Sequence, residues 1–336
     1  MKRRGMIAAL AAAVLAGSAF AQNTPEIKLR QGNVVPATAA PALTAAWYAE
    51  EVSKRSGGKV KIENFWAGAV GAPTEMLRLV GGGALEMGAF SGSWFPAQMP
   101  FLASFSALPL VLPNAAKAQV IANTLWEKVP ALQAEAKANK LHTLYFQVFN
   151  EYRLLCKSPV RGMADLQNKK IRSQGEYFPL AVRAVGAVPV TVLPGEFYEA
   201  LQRGTIDCML LPWDLIAANR LHEVAKYGSD LSFGSLVANG VYYNAAKWDA
   251  LSPEVKKLLT DTAREAQAYD LKTVTALEGK AVETMKAGGM QLLEFQEKAV
   301  FKAKMPDFLA AWQKRMQEAG KGADAAKVVE VWKAAM

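Results

Sequence analysis

The sequence predicts an α/β protein of two lobes, each with a mixed, mostly parallel sheet flanked by helices. Three observations support this fold class: strand and helix patterns alternate, the alternation occurs twice, and one long helical pattern follows both. Alternating strands and helices are typical of parallel sheets with right-handed crossover connections.

The first 21 residues have the features of a secretory signal peptide. Three cations precede an Ala-rich apolar run, and Ala19-Phe20-Ala21 forms an A-x-A cleavage pattern. A retained membrane anchor is the weaker interpretation, because a small-residue cleavage site follows the apolar run. We therefore expect cleavage after Ala21, export to a bacterial periplasm and a soluble mature chain.

The composition limits the possible function classes. The chain has 39 Lys and Arg against 30 Asp and Glu, and the excess cations are dispersed, so nucleic acid is not an expected partner. Its two histidines, His142 and His222, lie far from other metal-ligand types, so neither a zinc site nor a His-based nucleophile is expected. Cys156 and Cys208 are either disulfide-bonded or two separate buried residues; the sequence leaves this open.

The first half contains strand, helix, strand, helix and strand patterns in that order. The two helices end at glycines, as helices commonly do. The five segments are 26–31, 42–58, 59–65, 73–83 and 84–90. The GGG run at 81–83 has no following lysine, so we interpret it as a helix stop and not as a phosphate-binding loop.

The second half repeats this order. Its segments are 168–173, 176–186, 187–192, 195–204 and 205–211. The stretch from Glu75 to Glu86 can be laid over the stretch from Glu196 to Asp207, a weak internal repeat. Further on, Ser252 and Pro253 begin a helical pattern that continues to Gly288, long enough to brace both lobes, although a bend within it is an open alternative.

Arg172 is the main candidate for a binding residue. Ligands of open parallel sheets bind beyond the carboxyl ends of the strands, and Arg172 stands at such a strand end. A guanidinium matches a carboxylate with two parallel hydrogen bonds. The alternative is a solvated arginine in a lysine-rich stretch. Arg153 is a second candidate, with pairing to Glu151 as its alternative.

Other candidate contacts lie at the strand ends of both halves. Aromatic residues among them would either stack on a ligand or belong to the core. These candidates are Asn33, Phe90, Ser91, Trp94, Tyr177, Leu211 and Trp213.

Residues 150–212 resemble the solute receptors of tripartite ATP-independent periplasmic (TRAP) transporters. The matching elements are ADLQNKKIR with its strand-end arginine, VGAVPV, and EFYEALQRGTID before a strand that ends in proline. The upstream stretches GAVGAPTEMLRLVGGGALEMGAFS and LPLVLP are similar too, so the resemblance covers nearly the whole mature chain.

The resemblance implies a two-lobed periplasmic-binding-protein architecture that closes over an organic acid and delivers it to small and large membrane subunits. It implies that Arg172 clamps the carboxylate, that Arg153 reaches the same group, and that Phe90 and Ser91 lie in the first-lobe half of the cleft. It implies no enzymatic activity and no cofactor, and we expect a monomer; no metal-ligand cluster is found in the sequence, which leaves open whether a metal ion assists binding. The implied lobes are 22–150 plus 237–276, and 151–236 plus 277–336.

One departure from the family pattern bears on the ligand. Leu211 stands where receptors for sialic acid and C4-dicarboxylates carry an asparagine, and Pro194 replaces an aromatic residue. Because a polyhydroxylated acid would leave hydroxyls unpaired against Leu211, we expect an aromatic or branched monocarboxylate, or a 2-hydroxy or 2-oxo acid. The alternatives are a C4-dicarboxylate and, from another class, a periplasmic enzyme, for which no catalytic constellation is found in the sequence.

Overall fold

The computed structural model describes residues 26–336. The predicted signal peptide, residues 1–21, and the cleavage site after Ala21 lie outside the described residues. No helix within residues 26–336 combines the length and the apolar character needed to cross a membrane.

Eleven strands form two mixed sheets within this range. They are β1 Ile27–Asn33, β2 Val60–Phe65, β3 Met87–Phe90, β4 Leu141–Phe149, β5 Arg153–Cys156, β6 Lys170–Ser173, β7 Val188–Thr191, β8 Cys208–Leu211, β9 Tyr227–Ser229, β10 Leu236–Asn244 and β11 Gln291–Leu293.

Helices cover both sheets. The α-helices are α1 Ala40–Arg55, α2 Met76–Gly81, α3 Pro100–Ala107, α4 Ala115–Lys128, α5 Pro130–Ala138, α6 Met163–Leu166, α7 Phe178–Ala184, α8 Phe197–Gln202, α9 Trp213–Ala218, α10 Ala245–Asp249, α11 Pro253–Ala287, α12 Lys298–Lys304, α13 Phe308–Glu318 and α14 Gly322–Ala335. The predicted two-sheet α/β class is confirmed.

The first sheet has the strand order β2-β1-β3-β10-β4. Strands β1, β2 and β3 are parallel, as the alternating pattern predicts. Strand β10 returns from the second half of the chain and pairs antiparallel with both β3 and β4. The sequence pattern contains no signal for this insertion, because β10 is distant in sequence from the strands that it joins.

The second sheet has the strand order β11-β9-β5-β8-β6-β7. Strands β6, β7 and β8 are parallel, whereas β5 runs antiparallel to β8 and faces it residue by residue. This pairing places Cys156 opposite Cys208, and the two sulfurs form a disulfide. The pairing that the sequence left open is therefore made in the structure.

Helix α11 is one continuous helix of 35 residues. The Ser252 hydroxyl accepts a hydrogen bond from the backbone N–H of Val255 at its start, as the sequence predicts. On the side of the first sheet, this helix contacts α1 and β4. It also contacts α9, the helix that follows β8 of the second sheet. It thus braces both halves without a break.

Two C-terminal helices, α13 and α14, contact helices of the first half of the chain. Helix α14 packs against α4, and Trp312 on α13 donates its indole N–H to the Pro100 carbonyl. The lobe boundaries expected from the sequence stay a prediction.

Candidate functional site

A cavity of about 90 Å³ lies between residues from the strand ends of the two sheets. Its wall combines one cation with neutral polar and apolar side chains. The wall residues are Val34, Val35, Pro36, Ala67, Ser91, Trp94, Ser106, Phe149, Tyr152, Arg172, Gln174, Pro194, Gly195, Phe197, Leu211, Leu215, Asn219, Ala238 and Asn239. Among these wall residues, all from the described range 26–336, Arg172 is the only charged one.

Arg172 lies near the end of β6, where Ser173 is the last strand residue. Its side chain is 1% exposed, and its polar contacts are neutral: Gln174 Oε1 at 2.8 Å and the carbonyls of Val192 and Leu210 at 3.4 Å. The Phe197 ring lies 4.8 Å from the guanidinium carbon. Within residues 26–336, no carboxylate forms an ion pair with this buried cation.

The burial of Arg172 affects the protonation of its guanidinium. Loss of solvation lowers the pKa of its guanidinium to about 10, and the nearby Tyr152 opposes the shift. The group still carries its charge at neutral pH. A buried charge without an opposite partner is costly, and an anion in the adjoining cavity would remove that cost.

Gln174 connects Arg172 to Tyr152. The guanidinium has only donors, so the Gln174 side-chain oxygen faces it and the Gln174 NH₂ group faces the other way. That NH₂ group donates to the Tyr152 hydroxyl oxygen at 3.3 Å. Burial raises the pKa of Tyr152 to about 12, so its hydroxyl keeps a proton that is free to be donated. The cavity wall therefore carries a second potential donor to an anion.

The first-sheet side of the wall supplies hydroxyls and an amide. Ser91 follows β3 and shares hydrogen bonds with the hydroxyls of Ser93 and Ser106. Asn239 lies on β10 next to a register shift between Val237 and Asn239. A β-bulge of this kind changes the direction of the neighbouring side chains, and here both Ala238 and Asn239 reach the wall.

Three of the eight ligand contacts predicted from the sequence lie on the cavity wall: Arg172, Ser91 and Leu211. Trp94 and Pro194, which the sequence analysis also singled out, lie there too. The structure does not bring the other five to the wall. They are Asn33, Phe90, Arg153, Tyr177 and Trp213.

Arg153 is held by other residues. Its Nη2 lies 3.1 Å from Glu151 Oε2, and its Nη1 donates to the Asp230 carbonyl. This is the alternative considered from the sequence, where Glu151 was the expected pairing partner. Phe90 is fully buried against Phe95 and Tyr242. Adjacent strand residues point to opposite faces, so Ser91 reaches the cavity and Phe90 does not.

The remaining three candidates are also engaged elsewhere. Asn33 donates to the Asn64 side-chain oxygen at 3.0 Å, which ties β1 to β2. Tyr177 is buried next to Ser93 and Trp312, in a smaller cavity, and burial raises the pKa of its hydroxyl to about 12. Trp213 packs in the core against Gly228.

Several wall residues were missed in the sequence analysis. Gln174 is two positions beyond Arg172, and Asn239 stands in the otherwise apolar strand LVANGVYYN. An amide side chain in an apolar strand pattern indicates a candidate binding residue, because a buried polar group needs a hydrogen-bond partner. Tyr152 and Phe197 gave no such signal, since aromatic residues are common in cores.

Comparison with known proteins gives a family match over most of the chain. The model of the bacterial extracellular solute-binding protein family 7 matches residues 32–316. The 2,3-diketo-L-gulonate-binding periplasmic protein of Escherichia coli is 28% identical over 305 residues, 90% of this chain and 91% of its own. A monocarboxylate 2-oxoacid-binding periplasmic protein of Nostoc is 26% identical over 352 residues, 99% of this chain and 93% of its own.

Solved structures have the same fold. A TRAP periplasmic solute-binding protein from Desulfovibrio salexigens with bound orotic acid has a TM-score of 0.82 at 22% identity, covering 92% of this chain and 98% of its own. An extracytoplasmic solute receptor from Bordetella pertussis that binds pyroglutamic acid has a TM-score of 0.80 at 20% identity, covering 91% and 99%. At these identities the structural likeness establishes the fold alone.

Proposed function

The chain belongs to the bacterial extracellular solute-binding protein family 7, and from this premise we propose that it receives a small monocarboxylate with a largely apolar body for a TRAP transporter. Members of this family are periplasmic receptors for transport, and the chain is a receptor of this kind and not an enzyme.

The observation that carries the proposal is the buried, unpaired guanidinium of Arg172 on the wall of a cavity. Breaking a buried ion pair costs about 3–5 kcal/mol, because it leaves a charge without compensation. A protein that keeps such a cation next to an open space gains that energy when an anion arrives. The Arg172 fork and the Tyr152 hydroxyl together offer the donors that a carboxylate requires.

A single negative charge fits this wall better than two. Arg172 is the only cation among the wall residues of the described range, and the other predicted cation, Arg153, is paired with Glu151. A second carboxylate would lose solvation without gaining an opposite charge. This argues for a monocarboxylate over the C4-dicarboxylate considered from the sequence.

The rest of the wall favours an apolar ligand body. Leu211 lies beside the site of the cation, since it follows Leu210, whose carbonyl faces Arg172. Trp94, Phe149 and Phe197 add aromatic surface. We further propose that the receptor is a monomer that hands its ligand to a small and a large membrane subunit.

A thermal-shift and calorimetry panel tests the proposal on the secreted chain from Gln22. Isovalerate, phenylacetate, mandelate and pyroglutamate represent compact monocarboxylates; succinate and malate represent dicarboxylates; glucuronate represents polyhydroxylated acids. We expect a rise in melting temperature with at least one compact monocarboxylate, and a smaller shift with the other classes.

Two variants make this test specific. Arg172→Lys keeps the charge but removes the planar fork, so it should weaken binding by at least tenfold. Arg183→Lys, on the exposed face of α7, is the matched control and should bind as the natural protein does. Shifts confined to succinate or malate would contradict the monocarboxylate assignment, and normal binding by Arg172→Lys would contradict the role of the fork.

A further inference from the structure

Two buried amides fix the polarity of one point on the cavity wall. The first is Gln147 on β4, which is 0% exposed. Its Nε2 donates to the Pro41 carbonyl at 2.8 Å. A backbone carbonyl only accepts hydrogen bonds, so the Gln147 NH₂ group must face Pro41 and the Gln147 Oε1 must face away from it.

The second amide is Asn239, on the neighbouring strand β10. Asn239 pairs with Gln147 across the two strands, and its Nδ2 donates to Gln147 Oε1 at 3.2 Å. Since an amide oxygen only accepts, this contact turns the Asn239 NH₂ group towards β4. The Asn239 Oδ1 then points elsewhere, and no residue within 26–336 donates a hydrogen bond to it.

The free oxygen is accessible, and Asn239 lies on the wall of this cavity and of a smaller one lined by Phe146 and Tyr242. Asn239 is 4% exposed, and its Oδ1 is not among the buried side-chain atoms that lack a partner. The chain Pro41–Gln147–Asn239 therefore presents a fixed acceptor to any ligand. A rotation of the Asn239 amide by 180° would place its oxygen against Gln147 Oε1, acceptor against acceptor.

The polar groups around Arg172 on the same wall have the opposite polarity. The guanidinium of Arg172 has only donors, and the Gln174 NH₂ group leaves the Tyr152 hydroxyl proton free. A carboxylate is an acceptor only, so it matches these groups and not Asn239. Asn239 is then available to a further polar group of the ligand.

We propose that Asn239 selects an acid that carries a hydrogen-bond donor near its carboxylate, a hydroxyl or a ring N–H, over an acid with an oxo or ether oxygen there. This rests on the monocarboxylate function proposed above and deepens it. An oxo or ether oxygen would bring an acceptor against an acceptor, and both would lose their hydrogen bonds to water. A site built to pair with a donor discriminates strongly against analogues that lack it.

Matched acids test this on the secreted chain by calorimetry. The sets are 2-hydroxyisovalerate, 2-oxoisovalerate and isovalerate; mandelate, phenylglyoxylate and phenylacetate; and pyroglutamate, 5-oxotetrahydrofuran-2-carboxylate and 3-oxocyclopentanecarboxylate. In each set that binds, the donor-bearing acid should have a Kd roughly ten- to a hundredfold lower than the acceptor-bearing acid.

Two variants separate selection from stability. Asn239→Leu removes the acceptor at similar volume, and Gln147→Met removes the group that orients it without touching the ligand. In both, the ratio of the two Kd values within a set should fall to about one. Thermal unfolding shows whether each variant folds. If Gln147→Met does not fold, Asn239→Leu still tests the inference.

The outcomes are distinguishable. An acceptor-bearing acid that binds the natural protein as tightly as its donor-bearing counterpart would overturn this inference while leaving the proposed function intact. Equal weakening of all acids in a set by Gln147→Met, with the ratio preserved, would also overturn it. No binding by any acid of the three sets would refute the proposed function itself.

Discussion

Replacing Arg172 by methionine should abolish acid binding while leaving the unliganded protein at least as stable as before. Burial lowers the pKa of Arg172 from 12.5 to about 10. This shift corresponds to a destabilisation of the protonated guanidinium by about 3 kcal/mol. Methionine fills comparable apolar volume against Phe197 and carries no charge.

The removed contacts offset part of this gain. Gln174 Oε1 loses its donor, which costs roughly 1–3 kcal/mol. The free energy of unfolding of Arg172→Met should therefore lie between no change and a gain of about 2 kcal/mol, from the pKa shift above and this loss. A structural arginine in a buried ion pair would instead cost about 3–5 kcal/mol when removed.

Urea unfolding of the unliganded protein measures this difference. Arg183→Met, at an exposed position on α7, is the control and should stay within about 0.5 kcal/mol of the natural protein. A loss of 3 kcal/mol or more in Arg172→Met would refute the reasoning, because it would identify the guanidinium as part of the packing and not as a cation kept for a ligand.

Three further predictions concern other parts of the molecule. The disulfide closes a loop with a sequence separation of 52, and the double variant Cys156→Ala/Cys208→Ala should lose about 2–4 kcal/mol in urea unfolding; an unchanged stability would contradict this. Burial raises the pKa of Asp270 to about 7, from an ordinary value of 3.8. The folded state thus binds that proton more tightly, so the free energy of unfolding should fall as pH rises from about 4 to 7. In denaturant titrations at pH 5 and 8, the free energy of unfolding of Asp270→Asn should decrease less than that of the natural protein. An equal decrease in the variant would exclude Asp270 as the cause. Leu211→Asn should gain roughly tenfold in affinity for glucuronate, because it supplies a partner for hydroxyls; no gain in calorimetry would show that Leu211 does not set the preference.

The sequence predicts the parts of the fold that depend on neighbouring residues. Ser252 and Pro253 begin the long helix as expected, and the alternating segments of both halves form β1 to β3 and β6 to β8. The resemblance assigned residues 237–276 to the first lobe, but the sequence pattern did not predict strand β10 at the start of this range. Its position between β3 and β4 depends on long-range pairing, which periodicity does not contain.

The residues of the candidate site divide in the same way, into those that local sequence predicts and those that depend on long-range strand pairing. Arg172 and Leu211 were predicted because strand ends of parallel sheets are where ligands bind. Asn239 was missed because it reaches the cavity through an antiparallel strand with a bulge, far from the other wall residues in sequence. Arg153 was a second candidate from the sequence and from the resemblance, with pairing to Glu151 as its alternative, and the structure shows that ion pair.

A crystal structure of the chain from Gln22 with a bound compact monocarboxylate is the most direct test of the carboxylate site. The account predicts the ligand carboxylate within about 2.7–2.9 Å of the Arg172 guanidinium nitrogens, with the Tyr152 hydroxyl as a further donor. A carboxylate held elsewhere, with Arg172 still contacting only Gln174 and backbone carbonyls, would contradict it.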